Sequence, residues 1–131
     1  DESLFILEVK SVPLKCDKHT AFFPDGYRKK KGDPISPRAL KHINELKSLK
    51  QANPDMRCIL CFVIPRDDIT QFKVNEDDEI YRKAVQEAWM SGVEIMGVCV
   101  KWSKGKGKAK AKMIRDDIPV ILYNECGPVI K

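Results

Sequence analysis

The chain has 131 residues, 43% hydrophobic and 33% charged, with a formal net charge of +5 from 24 basic and 19 acidic side chains. A chain of that size forms one domain and buries roughly two-thirds of its unfolded surface. The composition is that of a soluble globular protein, no apolar stretch reaches the ~20 residues of a membrane span, and no basic-then-apolar leader opens the chain.

The chain opens on Asp1 and enters an apolar segment at once, so it reads as a piece of a longer protein or a processed product. The first predicted element is built on Leu4, Phe5, Ile6 and Leu7, a continuous apolar run that predicts a strand buried on both faces. It ends in Glu8-Val9-Lys10. Side chains alternate along a strand, so Glu8 and Lys10 share a face and Val9 points away. Ligand sites of α/β folds lie at the carboxyl ends of strands. A carboxylate there can hold a hard divalent cation, and an ammonium can orient water or meet charge on a phosphate. The plainer alternative is an ion pair that solvates a strand end.

Residues 11–34 show no periodicity and read as a long loop. The loop contains Cys16-Asp17-Lys18-His19, the turn Pro24-Asp25-Gly26, and the cationic run Arg28, Lys29, Lys30 and Lys31. Asp25 is either a turn former or a second carboxylate brought back toward Glu8, since hard-cation sites generally use more than one anionic ligand. A helix follows. Ser36 suits its cap and Pro37 its first position, and Ala39, Ile43, Leu46 and Lys50 repeat at helical spacing. Arg38, Lys41 and His42 lie in its first turns, where a helix favours anions. His42 borders the apolar stripe, so a packed structural role competes with contact to a phosphate.

Residues 57–64 predict a second doubly buried strand, and 66–76 a polar connection. Asp77 and Asp78 can cap a helix over 79–91. Its stripe is Ile80, Ala84 and Ala88 with Tyr81, Val85 and Trp89 alongside, and Gly92 stands just past its end. Residues 93–100 predict a third strand, with further strands at 113–116 and 120–123 around Pro119. Strand–helix–strand alternation implies a parallel sheet with right-handed crossovers. Between the last of these, residues 104–112 read Lys-Gly-Lys-Gly-Lys-Ala-Lys-Ala-Lys, predicted as a mobile hairpin tip or arm.

Cys58 and Cys61 have the spacing of a redox or zinc half-site, but residues three apart on a strand face opposite sides, so core packing is the better reading. Five cysteines, three of them within apolar runs, favour a reducing intracellular compartment. Two cationic runs flanking one acidic site favour a polyanion partner, because phosphate contacts supply most non-specific nucleic-acid affinity. The candidate contacts are Arg28, Lys29, Lys30, Lys31, Arg38, Lys41, His42, Lys104, Lys106, Lys108, Lys110 and Lys112.

Three ordered motifs give the sequence a family resemblance. Glu8-Val9-Lys10-Ser11-Val12, Phe23-Pro24-Asp25-Gly26 and Arg38-Ala39-Leu40-Lys41-His42-Ile43-Asn44-Glu45-Leu46 resemble the sugar fermentation stimulation protein A family. Gly92-Val93-Glu94-Ile95 and Ile118-Pro119-Val120 extend the likeness over nearly the whole chain. The resemblance implies a restriction-endonuclease-like α/β core of the PD-(D/E)xK type, a mostly parallel mixed sheet with helices on its faces, preceded by an OB-like domain. It implies binding to nucleic acid, DNA in particular, and a metal-dependent nuclease activity with Mg²⁺ or Mn²⁺. By the motif match, Glu8 and Lys10 are the catalytic Glu-x-Lys pair, with Glu8 a metal ligand and Lys10 the catalytic lysine, and Asp25, Arg38, Lys41 and His42 line the same cleft, which leaves Asp25 the candidate second metal ligand. A catalytically silent nucleic-acid-binding or protein-interaction module of the same fold is the alternative. The chain departs from the pattern in three ways. It starts after the strand that carries the fold's metal-binding aspartate, residues 32–35 read as an insertion, and Ala39 replaces a glycine. The sheet is therefore expected to leave an edge for the remainder of a longer chain, or a second protomer, to cover.

Overall fold

The computed structural model describes residues 4–26, 30–105 and 107–122, with the backbone alone of 129–130. The elements run β1 (Phe5–Ser11), β2 (Thr20–Phe23), α1 (Pro37–Ala52), β3 (Arg57–Ile64), β4 (Gln71–Val74), α2 (Glu79–Met90), β5 (Glu94–Gly105), β6 (Lys108–Ile118), β7 (Val120–Ile121) and β8 (Val129–Ile130). The main sheet has the order β1-β3-β5-β6. Its first three strands are parallel, and β6 runs antiparallel to β5. A second sheet has the order β2-β4-β7-β8.

The topology decides which face is covered. The parallel strands step across the sheet in one direction, β1 to β3 to β5, so right-handed crossovers place both helices on the same face. Ala39, Ile43 and Leu46 of α1 and Tyr81, Ala84, Val85 and Ala88 of α2 join one core with Cys58, Leu60, Phe62, Ile64, Ile95 and Cys99 from that face. Phe62 is its pivot. It stacks on Phe72 of the second sheet at 4.3 Å between centroids and meets Phe23 at 5.6 Å.

Both helices start as their sequences dictate. The Ser36 hydroxyl accepts from the Ala39 N–H at 3.1 Å, with Pro37 in the first turn. Asp78 caps α2 by accepting from the Tyr81 N–H at 3.0 Å, and its other oxygen accepts from the Ile35 N–H at 2.9 Å. Ile80 and Trp89 fall at the margin of the α2 stripe and stay partly exposed. Gly92 ends the turn with φ +104°, and a Cβ there would lie 2.9 Å from the Lys50 side chain. Cys58 and Cys61 are buried free thiols that pack in the sheet, and burial pushes the Cys61 thiol up.

Four expectations change. β1 is not buried on both faces: Phe5, Leu7 and Val9 are 59, 48 and 51% exposed. Among the described residues β1 is the outer strand, and the face carrying those side chains is the one the helices leave open. The loop of residues 11–34 contains β2, and the connection of 66–76 contains β4. Each has four residues, too few for a pattern to show, and each is specified by a remote partner, Thr20–Phe23 pairing in parallel with Gln71–Val74. The third predicted strand continues past residue 100 to Gly105, because the hairpin alternative for the lysine segment is realised as a paired antiparallel ribbon of β5 and β6.

Candidate functional site

Parallel pairing puts Glu8 beside Leu60 and Lys10 beside Phe62, on the helix-covered face toward the carboxyl end of β1. The edge of the sheet keeps this end open, while Phe62 and the neighbouring core close it from below. α1 then brings His42 across. The Lys10 ammonium lies 3.1 Å from Glu8 Oε1, His42 Nδ1 lies 3.0 Å from the same oxygen, and Lys10 Nζ lies 2.5 Å from His42 Nδ1. Three polar atoms thus occupy the corners of one triangle. An imidazole nitrogen either accepts or donates, so not every side can be a hydrogen bond at once. The close Lys10–His42 approach places the ammonium within reach of both Glu8 Oε1 and His42 Nδ1. The Lys10 side chain is only 12% exposed, against 32% for Glu8, so the ammonium is the interior member and the carboxylate faces out.

The remaining predicted residues distribute around this triangle unevenly. Arg38 is exposed one helical turn before His42 and on the same side of α1. Lys41 turns to the outer side of the helix, 74% exposed and 3.9 Å from Glu45. Asp25 is exposed on the loop after β2. That loop is fixed by Asn75, whose N–H donates to Phe23 O at 2.7 Å and whose side-chain amide donates to Pro24 O at 2.9 Å. No group of three His, Cys, Asp or Glu side chains suited to a metal occurs among the described residues, so Asp25 does not complete such a set with Glu8 and His42. Lys30 and Lys31 are exposed in the connection to α1. Lys104, Lys108, Lys110 and Lys112 are exposed on the ribbon. Arg28, Lys29 and Lys106 lie outside the described residues.

Sequence reasoning missed Tyr81. It is fully buried, packs edge-on to Phe23 at 5.7 Å, and its hydroxyl has no hydrogen-bond partner among the described residues. Burial first, then the Asp78 and Glu8 carboxylates, push its phenol upward. Glu8 is thus felt from the core as well as from the open side. The only sequence signal was the placing of Tyr81 three residues after the capping Asp78, which reads as an ordinary core position.

The mostly parallel main sheet with both helices on one face, on which Glu8 and Lys10 lie in the outer strand among the described residues, is a restriction-endonuclease-like α/β fold. The chain belongs to the sugar fermentation stimulation protein (SfsA) family: the family model described as the sugar fermentation stimulation protein RE domain matches residues 1–106. The sugar fermentation stimulation protein homolog of Rhizobium meliloti is 29% identical over 124 residues, 93% of this chain and 48% of that protein. The homolog of Crocosphaera subtropica is 38% identical over 91 residues, 69% of this chain and 33% of that protein. A structure of Pyrococcus furiosus SfsA in complex with Ca²⁺ matches with a TM-score of 0.66 at 23% identity, covering 88% of this chain and 44% of that one. The chain spans about half the length, or less, of the relatives it matches.

Proposed function

We propose that this chain is the phosphodiester-cleaving half of a divalent-metal-dependent nuclease acting on nucleic acid, with DNA as the first substrate to test. The convergence of Glu8, Lys10 and His42 at the open end of β1 carries the reading. The donor set suits a hard cation that keeps most of its shell as water and substrate oxygen. Mg²⁺ takes one or two carboxylates together with phosphates, and Glu8 presents one toward the solvent side. The Ca²⁺ complex of Pyrococcus furiosus SfsA supports a divalent cation on this fold. A bound cation supplies positive charge to the scissile phosphate and acidifies a coordinated water.

The chain's own residues do the rest. Glu8, whose carboxylate faces out, would hold the cation, in place of its present contact with Lys10 at 3.1 Å. Lys10, held by His42 at the strand end, would direct its ammonium at charge developing on the phosphate. His42 is the positioning residue that keeps the ammonium at the strand end. Asp25 does not join Glu8 in a metal-suited group in this structure, so a part as a further ligand would require the loop after β2 to move toward Glu8. A silent binding module of the same fold is the second reading. It draws on the Glu8–Lys10 ion pair at 3.1 Å, which already neutralises the carboxylate.

The test is cleavage of end-labelled DNA and RNA with Mn²⁺ or Mg²⁺, alongside Mn²⁺ binding followed by electron paramagnetic resonance. Cleavage that needs the ion, and Mn²⁺ binding weakened in Glu8→Gln, is the expected result, with Asp25→Asn weakening the ion less if it is a ligand. Mn²⁺ bound equally by parent and Glu8→Gln, with no cleavage by either, leaves the binding module standing.

A further inference from the structure

The ribbon of β5 and β6 beyond the main sheet has two unlike faces, which the lysine repeat conceals. In sequence a lysine recurs at every second position from Lys104 to Lys112. On a single strand that would make one cationic comb. The observed register pairs Lys101 with Lys112, Trp102 with Ala111, Ser103 with Lys110, Lys104 with Ala109 and Gly105 with Lys108. Directly paired residues share a face, and neighbours along a strand alternate. One face therefore collects Lys101, Ser103, Lys108, Lys110 and Lys112. The other carries Trp102, Lys104, Ala109 and Ala111, with Trp102 61% exposed across from an alanine. Two register shifts between Gly97 and Val100 set this pairing, and a slip of one residue would exchange the faces of one strand.

Folding does not account for the cationic face. Lys101 and Lys112 stand directly opposite, an arrangement that destabilises a sheet. Residues 101–115 contain no acid. Lys101 has Asp67 at 3.6 Å, whereas Lys108, Lys110 and Lys112 make no ion pair with any described residue. Like-facing residues of a strand are ~6.8 Å apart, so these three lysines form a straight row of ~14 Å. Phosphates of one duplex strand advance ~3.4 Å each, so the row spans about four phosphate steps. At the tip, where Gly105 has no side chain, Ser103, Lys108 and Lys110 line a shallow depression that Lys104 borders from the opposite face.

We infer that the Lys101, Lys108, Lys110 and Lys112 face of the ribbon binds the phosphate backbone of nucleic acid, one-sidedly, while the Trp102 face takes no part. This rests on the nucleic-acid reading above and assigns that partner to a surface separate from Glu8. The decisive comparison places one carboxylate on either face: Ser103→Glu on the lysine face and Ala111→Glu on the Trp102 face change net charge equally. Binding of a short fluorescein-labelled DNA duplex, by anisotropy over a series of salt concentrations without divalent ion, reads the result. Ser103→Glu should weaken binding about tenfold and Ala111→Glu less than about twofold. Lys108→Ser/Lys110→Ser/Lys112→Ser should lower the slope of log affinity against log salt by about 2.7, from ~0.9 per phosphate contact. Lys110→Ser alone should lower it by about 0.9, a check should the triple variant lose its fold by circular dichroism. Equal losses from Ser103→Glu and Ala111→Glu, or an unchanged slope with binding intact, would overturn the face assignment and leave the nucleic-acid reading in place. A parent that does not bind DNA at ~0.15 M salt would overturn both.

Discussion

The carboxyl end of β1 and the β5–β6 ribbon are both rich in lysine, yet they handle charge in opposite ways. Lys10 is largely buried and lies within 3.1 Å of a carboxylate and 2.5 Å of an imidazole. Lys108, Lys110 and Lys112 are exposed and unpaired with any described residue. A desolvated charge held between fixed partners acts over ångströms and is screened little by salt, whereas exposed charges act through a field that salt erases within a Debye length. The first arrangement suits chemistry on one phosphate, the second capture of many. The net charge of +5 expresses neither, because it sums groups that compensate one another with groups that do not.

The largest effect should come from the core that the site needs and the ribbon does not. Phe62 lies beside Lys10 in the sheet, is fully buried, and stacks on Phe72. Phe62→Ala should cost about 3–5 kcal/mol in urea unfolding. Loss of the site with the duplex affinity of the folded fraction retained would sharpen the contrast between the two regions. A loss below ~1 kcal/mol would mean that the two sheets do not depend on this stack. Next comes Glu8→Gln, which keeps the shape and removes the charge. We expect cleavage to fall at least ~100-fold, ~2.7 kcal/mol of barrier. Duplex affinity should hold or rise, since a negative charge near the phosphates is gone. Parallel losses of cleavage and affinity would break the separation of chemistry from capture.

Where the chain is locally determined, the sequence is easy to read. The Ser36-Pro37 start of α1, the Asp78 cap of α2 and the parallel order of β1, β3 and β5 follow from caps, periodicity and handedness. Glu8 and Lys10 were legible as a pair because alternation along one strand fixes them. β2 and β4 were not, since a four-residue strand has its partner, and so its pattern, elsewhere in the chain. The exposure of Phe5, Leu7 and Val9 was hidden for a related reason: an apolar run states what a strand prefers, not whether a neighbouring layer covers it. The two faces of the ribbon depend on a register that two shifts reset, and spacing in the sequence cannot encode that. His42 reads in sequence as a structural histidine bordering the apolar stripe or a phosphate contact, and its partners Glu8 and Lys10 come from β1, 32 residues away at Lys10, which spacing along α1 cannot reveal.

Smaller substitutions separate the two regions more finely. Ser36→Ala removes the hydroxyl that accepts from the Ala39 N–H and should cost about 1 kcal/mol of stability. Because α1 carries His42, cleavage should fall with it, while binding at the ribbon should not change. A variant with full stability and slower cleavage would place Ser36 in the site itself.

Tyr81→Phe should have the smallest effect, and its sign is the informative part. The ring packs against Phe23 and stays in place when the oxygen is removed. The hydroxyl is buried without a partner among the described residues, and burial first, then the Asp78 and Glu8 charges, push its phenol upward. A buried polar group with no hydrogen bond costs about 1–3 kcal/mol, and its removal leaves a void of one oxygen that returns part of that gain. The expected result is therefore stabilisation of up to about 1 kcal/mol in urea, with Mn²⁺ affinity unchanged. Destabilisation by more than ~1 kcal/mol would show that the hydroxyl is hydrogen-bonded in solution. If Mn²⁺ affinity fell as well, that bond would belong to the Glu8 site, and the boundary between core and chemistry would run through Tyr81 rather than above it.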